Sequence, residues 1–213
     1  MCGRYNNHVP KMLGWAEVLK QWPLVNQSYN VAPTTQIAAF RSSAGDAMRW
    51  GMIPSWSKEF DSKYATFNAR IETVSEKPTF RSAWTNKQRC LIPMAGYYEW
   101  TGGKGSKQPF YITDRNAGGL VVAGLYESWG NGQLSCTVLT MPAKQELAQI
   151  HPRMPIMLTP ETVSDWLSGD ADQAALVDTE QAQVIYYPVS KAVGNSTNDT
   201  SELITPIDLV SSK

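Results

Sequence analysis

The chain has 213 residues, 42% of them hydrophobic and 18% charged, which is the balance of a soluble globular protein long enough to bury a core without covalent staples. No apolar run approaches the roughly 20 residues that a membrane-spanning helix needs, and the first twenty residues carry Arg4, Lys11, Glu17 and Lys20 with no apolar stretch of the secretory kind. Net charge is zero but lopsided: residues 1–110 hold 14 Lys/Arg against 7 Asp/Glu, and residues 111–213 hold 5 against 12, so a basic face able to attract a polyanion is expected.

In chain order, a helix is expected from Val9 to Trp22, where Leu13, Val18, Leu19 and Trp22 recur near helical spacing and Pro23 stops the run. Strands follow at Gln36–Arg41 and Met48–Ile53, separated by Ser43, Ala44, Gly45 and Asp46. The aromatic and polar stretch Pro54–Asn68 reads as a surface loop, and a short helix begins at Pro78 and runs toward Lys87. From Arg89 the pattern is strongly β, with strands at Arg89–Pro93, Gly96–Trp100, Pro109–Thr113, Leu120–Trp129 and Gln133–Thr140. Glycine turns join most of these, which implies antiparallel neighbours. Helices return at Pro142–Ile150, Pro160–Leu167 and Asp170–Leu176, then a strand at Val184–Pro188 and a short polar tail from about residue 208. Strands bracketed by helices without regular βαβ alternation predict one α+β domain over residues 1–213, built on a bent antiparallel sheet or open β-barrel with flanking helices.

Chemistry is concentrated in few residues. The three cysteines, Cys2, Cys90 and Cys136, form no Cys-x-x-Cys pair, and the only histidines are His8 and His151, so neither a disulfide framework nor a zinc site is expected. Cys90 and Cys136 lie in apolar runs and read as inert buried thiols. Cys2 differs: removal of Met1 leaves a primary amine and a thiol two carbons apart, a pair that condenses with an aldehyde to a five-membered thiazolidine ring. An accidental second-position cysteine is the plain alternative. Glu99 lies among Tyr97, Tyr98 and Trp100, where desolvation would raise its pKa toward proton-transfer duty; period-two alternation equally allows it to face outward. His151 opens the proline-rigid corner His151-Pro152-Arg153-Met154-Pro155 and suits proton shuttling, or simply caps a helix.

The ordered segments Met1-Cys2-Gly3-Arg4, Tyr29-Asn30-Val31-Ala32-Pro33, Trp50-Gly51-Met52-Ile53-Pro54, Asn68-Ala69-Arg70-Ile71-Glu72-Thr73, Gly96-Tyr97-Tyr98-Glu99-Trp100, His151-Pro152-Arg153-Met154-Pro155 and Pro188-Val189-Ser190-Lys191-Ala192-Val193-Gly194-Asn195 resemble the SOS response-associated peptidase family, whose members are also called abasic-site processing proteins. The resemblance implies a protein that recognises abasic sites in single-stranded DNA and traps them covalently, shielding the lesion during the DNA damage response. Carried over by motif, Cys2 is the crosslinking residue, Asn68 holds its amine, Glu99 is the acid/base and His151 assists proton transfer. Arg4, Asn30, Arg70 and Arg153 are the expected DNA contacts, the arginines at phosphates, with Pro33 and Trp56 near splayed bases. Ser57 departs from relatives that carry a second tryptophan there. No cofactor or metal is implied. The expected setting is a cytoplasmic monomer that meets the nucleoid when bound to DNA.

Other readings stay open at the level of sequence. An N-terminal nucleophile hydrolase also exposes a cysteine after Met, and a peptidase acting on its own first peptide bond generates the same terminus. A non-covalent reader of single strands or modified bases would use the basic half and the eight tryptophans as a stacking groove.

Overall fold

The computed structural model describes residues 2–9, 12–61, 65–103, 105–178 and 181–209. Met1 and residues 210–213 of the expected tail lie outside the described residues. The strands in chain order are β1 (Tyr5–Asn6), β2 (Gln36–Phe40), β3 (Gly45–Trp50), β4 (Asn68–Arg70), β5 (Arg89–Met94), β6 (Gly96–Thr101), β7 (Gln108–Asp114), β8 (Leu120–Trp129), β9 (Gln133–Pro142), β10 (Arg153–Pro155), β11 (Met157–Leu158) and β12 (Val184–Pro188). The α-helices are short: α1 (Pro78–Thr85), α2 (Val163–Ser168) and α3 (Gln173–Asp178).

Strands β9, β3, β2, β5 and β8 pair in that order, and β8 pairs back onto β9, closing a five-stranded barrel. The α+β expectation therefore holds, with a closed ring where an open one was allowed. Closure depends on β9 lying parallel to β3 at Arg49↔Ser135 and Trp50↔Cys136, a long-range pairing that no hairpin signal announces. Barrel strands are buried on both faces where the ring is covered: all six residues of β5, Arg89 among them, and Leu120–Leu125 of β8 are buried. The second sheet, β1–β6–β7–β12, is antiparallel throughout. It carries its own small core of Tyr98, Tyr111, Val189, Val193 and Leu203.

The amino terminus is sewn into this frame by β1. Tyr5 pairs with Tyr97, and Asn6 with Gly96. Tyr5 also exchanges backbone hydrogen bonds with Val31 at 3.2 and 2.8 Å, and the Tyr98 N–H donates to the Arg4 carbonyl at 3.0 Å. Gly96 permits that crowding, since a Cβ there would stand 2.5 Å from the Tyr111 ring and 2.6 Å from the Ile112 carbonyl oxygen.

The expected helix Val9–Trp22 is not formed as such: a single 3-10 turn spans Leu13–Trp15, and residues 10 and 11 lie outside the described residues. Tertiary pairing overrides the helical period. Lys20 and Gln21 both donate their backbone N–H to the Ser43 carbonyl, and Gly45 N–H donates to the Gln21 carbonyl, which locks this stretch beside the β2–β3 hairpin. The expected helix at Pro142–Ile150 is likewise a 3-10 turn, Gln145–Gln149, because β9 runs on to Pro142 to pair with β10. The helices expected at Pro160–Leu167 and Asp170–Leu176 form later and shorter, as α2 and α3.

Candidate active site

Cys2 lies three residues before Tyr5 and is fully buried. Its Sγ–H points toward the Arg4 carbonyl at 4.0 Å. Burial, reinforced by the nearby Glu99 carboxylate, pushes the thiol well above the ordinary cysteine range, so it rests protonated.

Asn68 reaches Cys2 from β4, which is held parallel to β9 at Asn68↔Val138. Its side-chain Nδ2 donates to the Cys2 carbonyl at 2.7 Å. Its Oδ1 is buried with no hydrogen-bond partner among the described residues. A buried acceptor left in that condition costs about 1–3 kcal/mol, so an N–H donor delivered there is stabilising.

Alternation along β6 fixes the direction of Glu99. Tyr98 belongs to the small core under the second sheet while Tyr97 belongs to the main core, and side chains two apart share a face. Glu99 therefore sits on the Tyr97 side and is only 3% exposed, which rules out the outward-facing alternative. Burial raises its pKa, opposed in part by nearby positive charge including His151. The Tyr97 phenol is raised by burial and then by Cys2 and Glu99, which puts the three groups in one electrostatic neighbourhood.

His151 follows the 3-10 turn Gln145–Gln149, and its Nδ1 lies 4.0 Å from Glu99 Oε1. The Arg153 backbone N–H approaches the same Nδ1 at 3.1 Å, fixing the ring's tilt. Glu99 and His151, with Trp100, Lys107 and Gly194, line an open cleft of about 330 Å³. Trp100 and Gly194 belong to motif segments visible in the sequence. Lys107 carries no such signal.

The remaining candidates divide. Arg70 is exposed at the end of β4, close enough to Glu72 to lower its pKa slightly. Arg4 is directed inward, its Nη1 donating to Asn30 Oδ1 at 3.1 Å and to the Val193 carbonyl at 3.3 Å. Asn30 is 3% exposed and works as a hub, its Nδ2 within 3.2, 3.0 and 2.9 Å of the Val193, Asn195 and Asn198 carbonyls. Arg153 forks onto Glu72 at 2.5 and 3.0 Å and also reaches the Thr140 carbonyl at 2.6 Å. Trp56 is 67% exposed and Pro33 half-buried, and neither is among the residues lining the cleft. Among the described residues no group of three or more His, Cys, Asp or Glu could hold a metal ion, and no helix is long and apolar enough to cross a membrane.

The buried Cys2, its carbonyl held by the Asn68 amide, thus shares an electrostatic neighbourhood with the buried Glu99 carboxyl, which has the His151 imidazole 4.0 Å away. Residues 1–196 match the sequence pattern of the SOS response associated peptidase family, and the chain belongs to that family. Its relatives include the abasic site processing protein YoqW of Bacillus subtilis, 37% identical over 191 residues, covering 83% of this chain and 85% of the relative. The abasic site processing protein YMR114C of Saccharomyces cerevisiae is 34% identical over 84% of this chain and 53% of its own length. Two solved structures share the fold: one from Bacteroides thetaiotaomicron, with a TM-score of 0.80 at 23% identity over 97% of this chain and 100% of that one, and one from Bordetella bronchiseptica, with a TM-score of 0.75 at 25% identity over 89% and 100%.

Proposed function

We propose that this protein captures abasic sites in single-stranded DNA by closing a thiazolidine between the deoxyribose C1′ aldehyde and Cys2, after removal of Met1 frees the α-amine. The observation that carries the reading is the Asn68–Cys2 contact: the amide grips the Cys2 carbonyl at 2.7 Å and keeps a buried acceptor unpartnered. A free α-amine supplies the missing donor.

The abasic sugar rests mostly as a closed hemiacetal. Glu99, its pKa raised by burial, retains a proton to higher pH than an ordinary carboxyl and assists ring opening by moving that proton between ring oxygen and anomeric hydroxyl. The α-amine, with a reference pKa of about 7.7–8.0, keeps a reactive neutral fraction at physiological pH, and this form adds to the aldehyde, expelling water to give an imine. The thiol then adds to the imine carbon while its proton passes to the nitrogen, with Glu99 and His151 as the groups that relay it. A resting neutral thiol suits this order, because the amine reacts first and the sulfur waits in place. Holding both groups on one residue makes the second bond intramolecular. The family's description as a peptidase supports the same site cutting the Met1–Cys2 bond, and the relatives' names support a role in DNA damage.

The test is a denaturing gel of purified protein with abasic and intact single-stranded oligonucleotides. A shifted band that survives denaturation and appears only with the abasic strand is expected. Its absence with protein shown by mass spectrometry to lack Met1 overturns the reading.

A further inference from the structure

The cations expected to meet phosphate are in part spent on the protein itself. Arg153 is forked onto Glu72 and Thr140, and Arg4 is turned onto Asn30 and Val193. Yet an abasic deoxyribose carries a phosphate on each side of the sugar. A cleft that receives the sugar beside Glu99 must receive at least one of those phosphates. A phosphate brought there without a cation is disfavoured.

Lys107 stands on the wall of that same cleft. It is exposed and makes no hydrogen bond or ion pair among the described residues. Its backbone is well placed. The β6–β7 hairpin closes at Thr101↔Gln108, and Gly102 and Gly105 take φ values of +99° and +89° that favour glycine. A Cβ on Gly102 would stand 2.9 Å from the Ser106 carbonyl oxygen, so that position needs glycine. The neighbouring Gln108 donates its Nε2 to the Val189 carbonyl at 2.8 Å, tying the hairpin to the segment that supplies Gly194 to the cleft. An uncommitted ammonium on a flexible stem at the rim of a cleft is how a lysine serves as a point charge for phosphate.

Resting on the function proposed above, we infer that Lys107 binds a phosphate flanking the abasic sugar and thereby holds the strand at the cleft. It is a positioning residue: it touches the DNA backbone, not the bonds that change. The sequence pattern did not mark it, because phosphate contacts carry position and no base information, so any hairpin lysine could be one.

The experiment compares Lys107→Gln and Lys107→Arg with wild type in two measurements, with folding of each variant checked by thermal melt. The first is binding to intact single strands across a salt series; the second is the single-turnover crosslinking rate on abasic strands against protein concentration. Lys107→Gln is expected to reduce the magnitude of the log-log salt slope by about 0.7 and Lys107→Arg to keep the wild-type slope. The half-saturating concentration for crosslinking should rise several-fold in Lys107→Gln while the saturating rate stays within about twofold of wild type, as loss of a contact made equally in ground and transition states requires. An unchanged salt slope overturns the assignment, and so does a fall in saturating rate with the half-saturating concentration unchanged. If Lys107→Gln shows the expected slope change but wild type never crosslinks, the thiazolidine chemistry fails and the phosphate contact stands; if wild type crosslinks and Lys107→Gln shows no slope change, the reverse holds.

Discussion

Asn68 and Cys2 meet across 66 residues of sequence through one hydrogen bond of 2.7 Å, in which the amide donor is satisfied and the amide acceptor is not. Asn68→Ala removes both. Crosslinking of abasic strands is expected to slow by about 10²-fold, the scale of a misplaced reacting group, while binding to intact strands stays at the wild-type level. Stability should fall by about 0.5–1.5 kcal/mol for the lost hydrogen bond. Wild-type crosslinking by a folded Asn68→Ala protein would make the amide a mere strap on the backbone.

Retention of Met1, or addition of an amino-terminal tag, converts the Cys2 nitrogen to an amide and should abolish the heat-stable adduct while leaving DNA binding intact. Cys2→Ser keeps the amine without the thiol. Borohydride should then trap an imine on the abasic strand, with no heat-stable product in its absence. Equal adduct yields from tagged and processed protein would rule out the aminothiol route.

Glu99→Gln keeps size and hydrogen-bonding capacity but cannot titrate. The crosslinking step should slow by about 10² to 10⁴, and an acyclic aldehyde substrate, which needs no ring opening, should recover much of the loss. Stability should move the other way. Because burial raises the Glu99 pKa, the native state holds its proton at pH values where the unfolded chain has released it, so wild-type stability declines as pH rises through that window. Glu99→Gln escapes the decline. Its melting temperature should match wild type well below the ordinary carboxylate range and exceed it at neutral pH; a gap that widens toward acid pH would contradict the assignment.

Arg70→Ala and Arg153→Ala should separate two roles that look identical in sequence. Arg70 is exposed, and its loss should lower the magnitude of the salt slope by about 0.7 on single strands. Arg153 is committed to Glu72, so its loss should show mainly in stability. Burial alone would raise the Glu72 carboxyl, but the hydrogen bonds from Arg153 win and hold it below the usual range. That contribution is present above the ordinary carboxylate pKa and is lost as pH falls through the lowered one, so the melting-temperature gap between wild type and Arg153→Ala should close in acid. A salt slope for Arg153→Ala reduced as much as for Arg70→Ala would place Arg153 on the DNA path after all.

The legible part of this fold is its local part. Strands from Arg89 to Thr140 announce themselves by β-branched and aromatic runs between glycine turns, and the structure places β5 to β9 close to those runs. Ring closure was not legible, because the parallel pairings of β9 with β3 and β4 join segments far apart in sequence. The stretch Val9–Trp22 misleads for the same reason: its period is helical, while its backbone partners at Ser43 and Gly45 lie beyond any local window. At the site, motif order pointed to Cys2, Asn68, Glu99 and His151, and alternation alone left the direction of Glu99 undecided. The inward commitment of Arg4 was hidden because its partners, Asn30 and Val193, are 26 and 189 residues away.

Gly3 and Arg4 are all that separate Cys2 from the hydrogen-bonded strand at Tyr5, and three residues of extended chain reach about 10 Å at most. On so short a leash Cys2 cannot travel far from the sheet, so under the proposed function the lesion has to come in to it. In the proposed adduct the sugar stays within that reach of the domain, whose 213 residues imply a radius of gyration of about 17 Å. Under the proposed function, a nuclease or polymerase that reached the joined nucleotide would meet a folded body held against it.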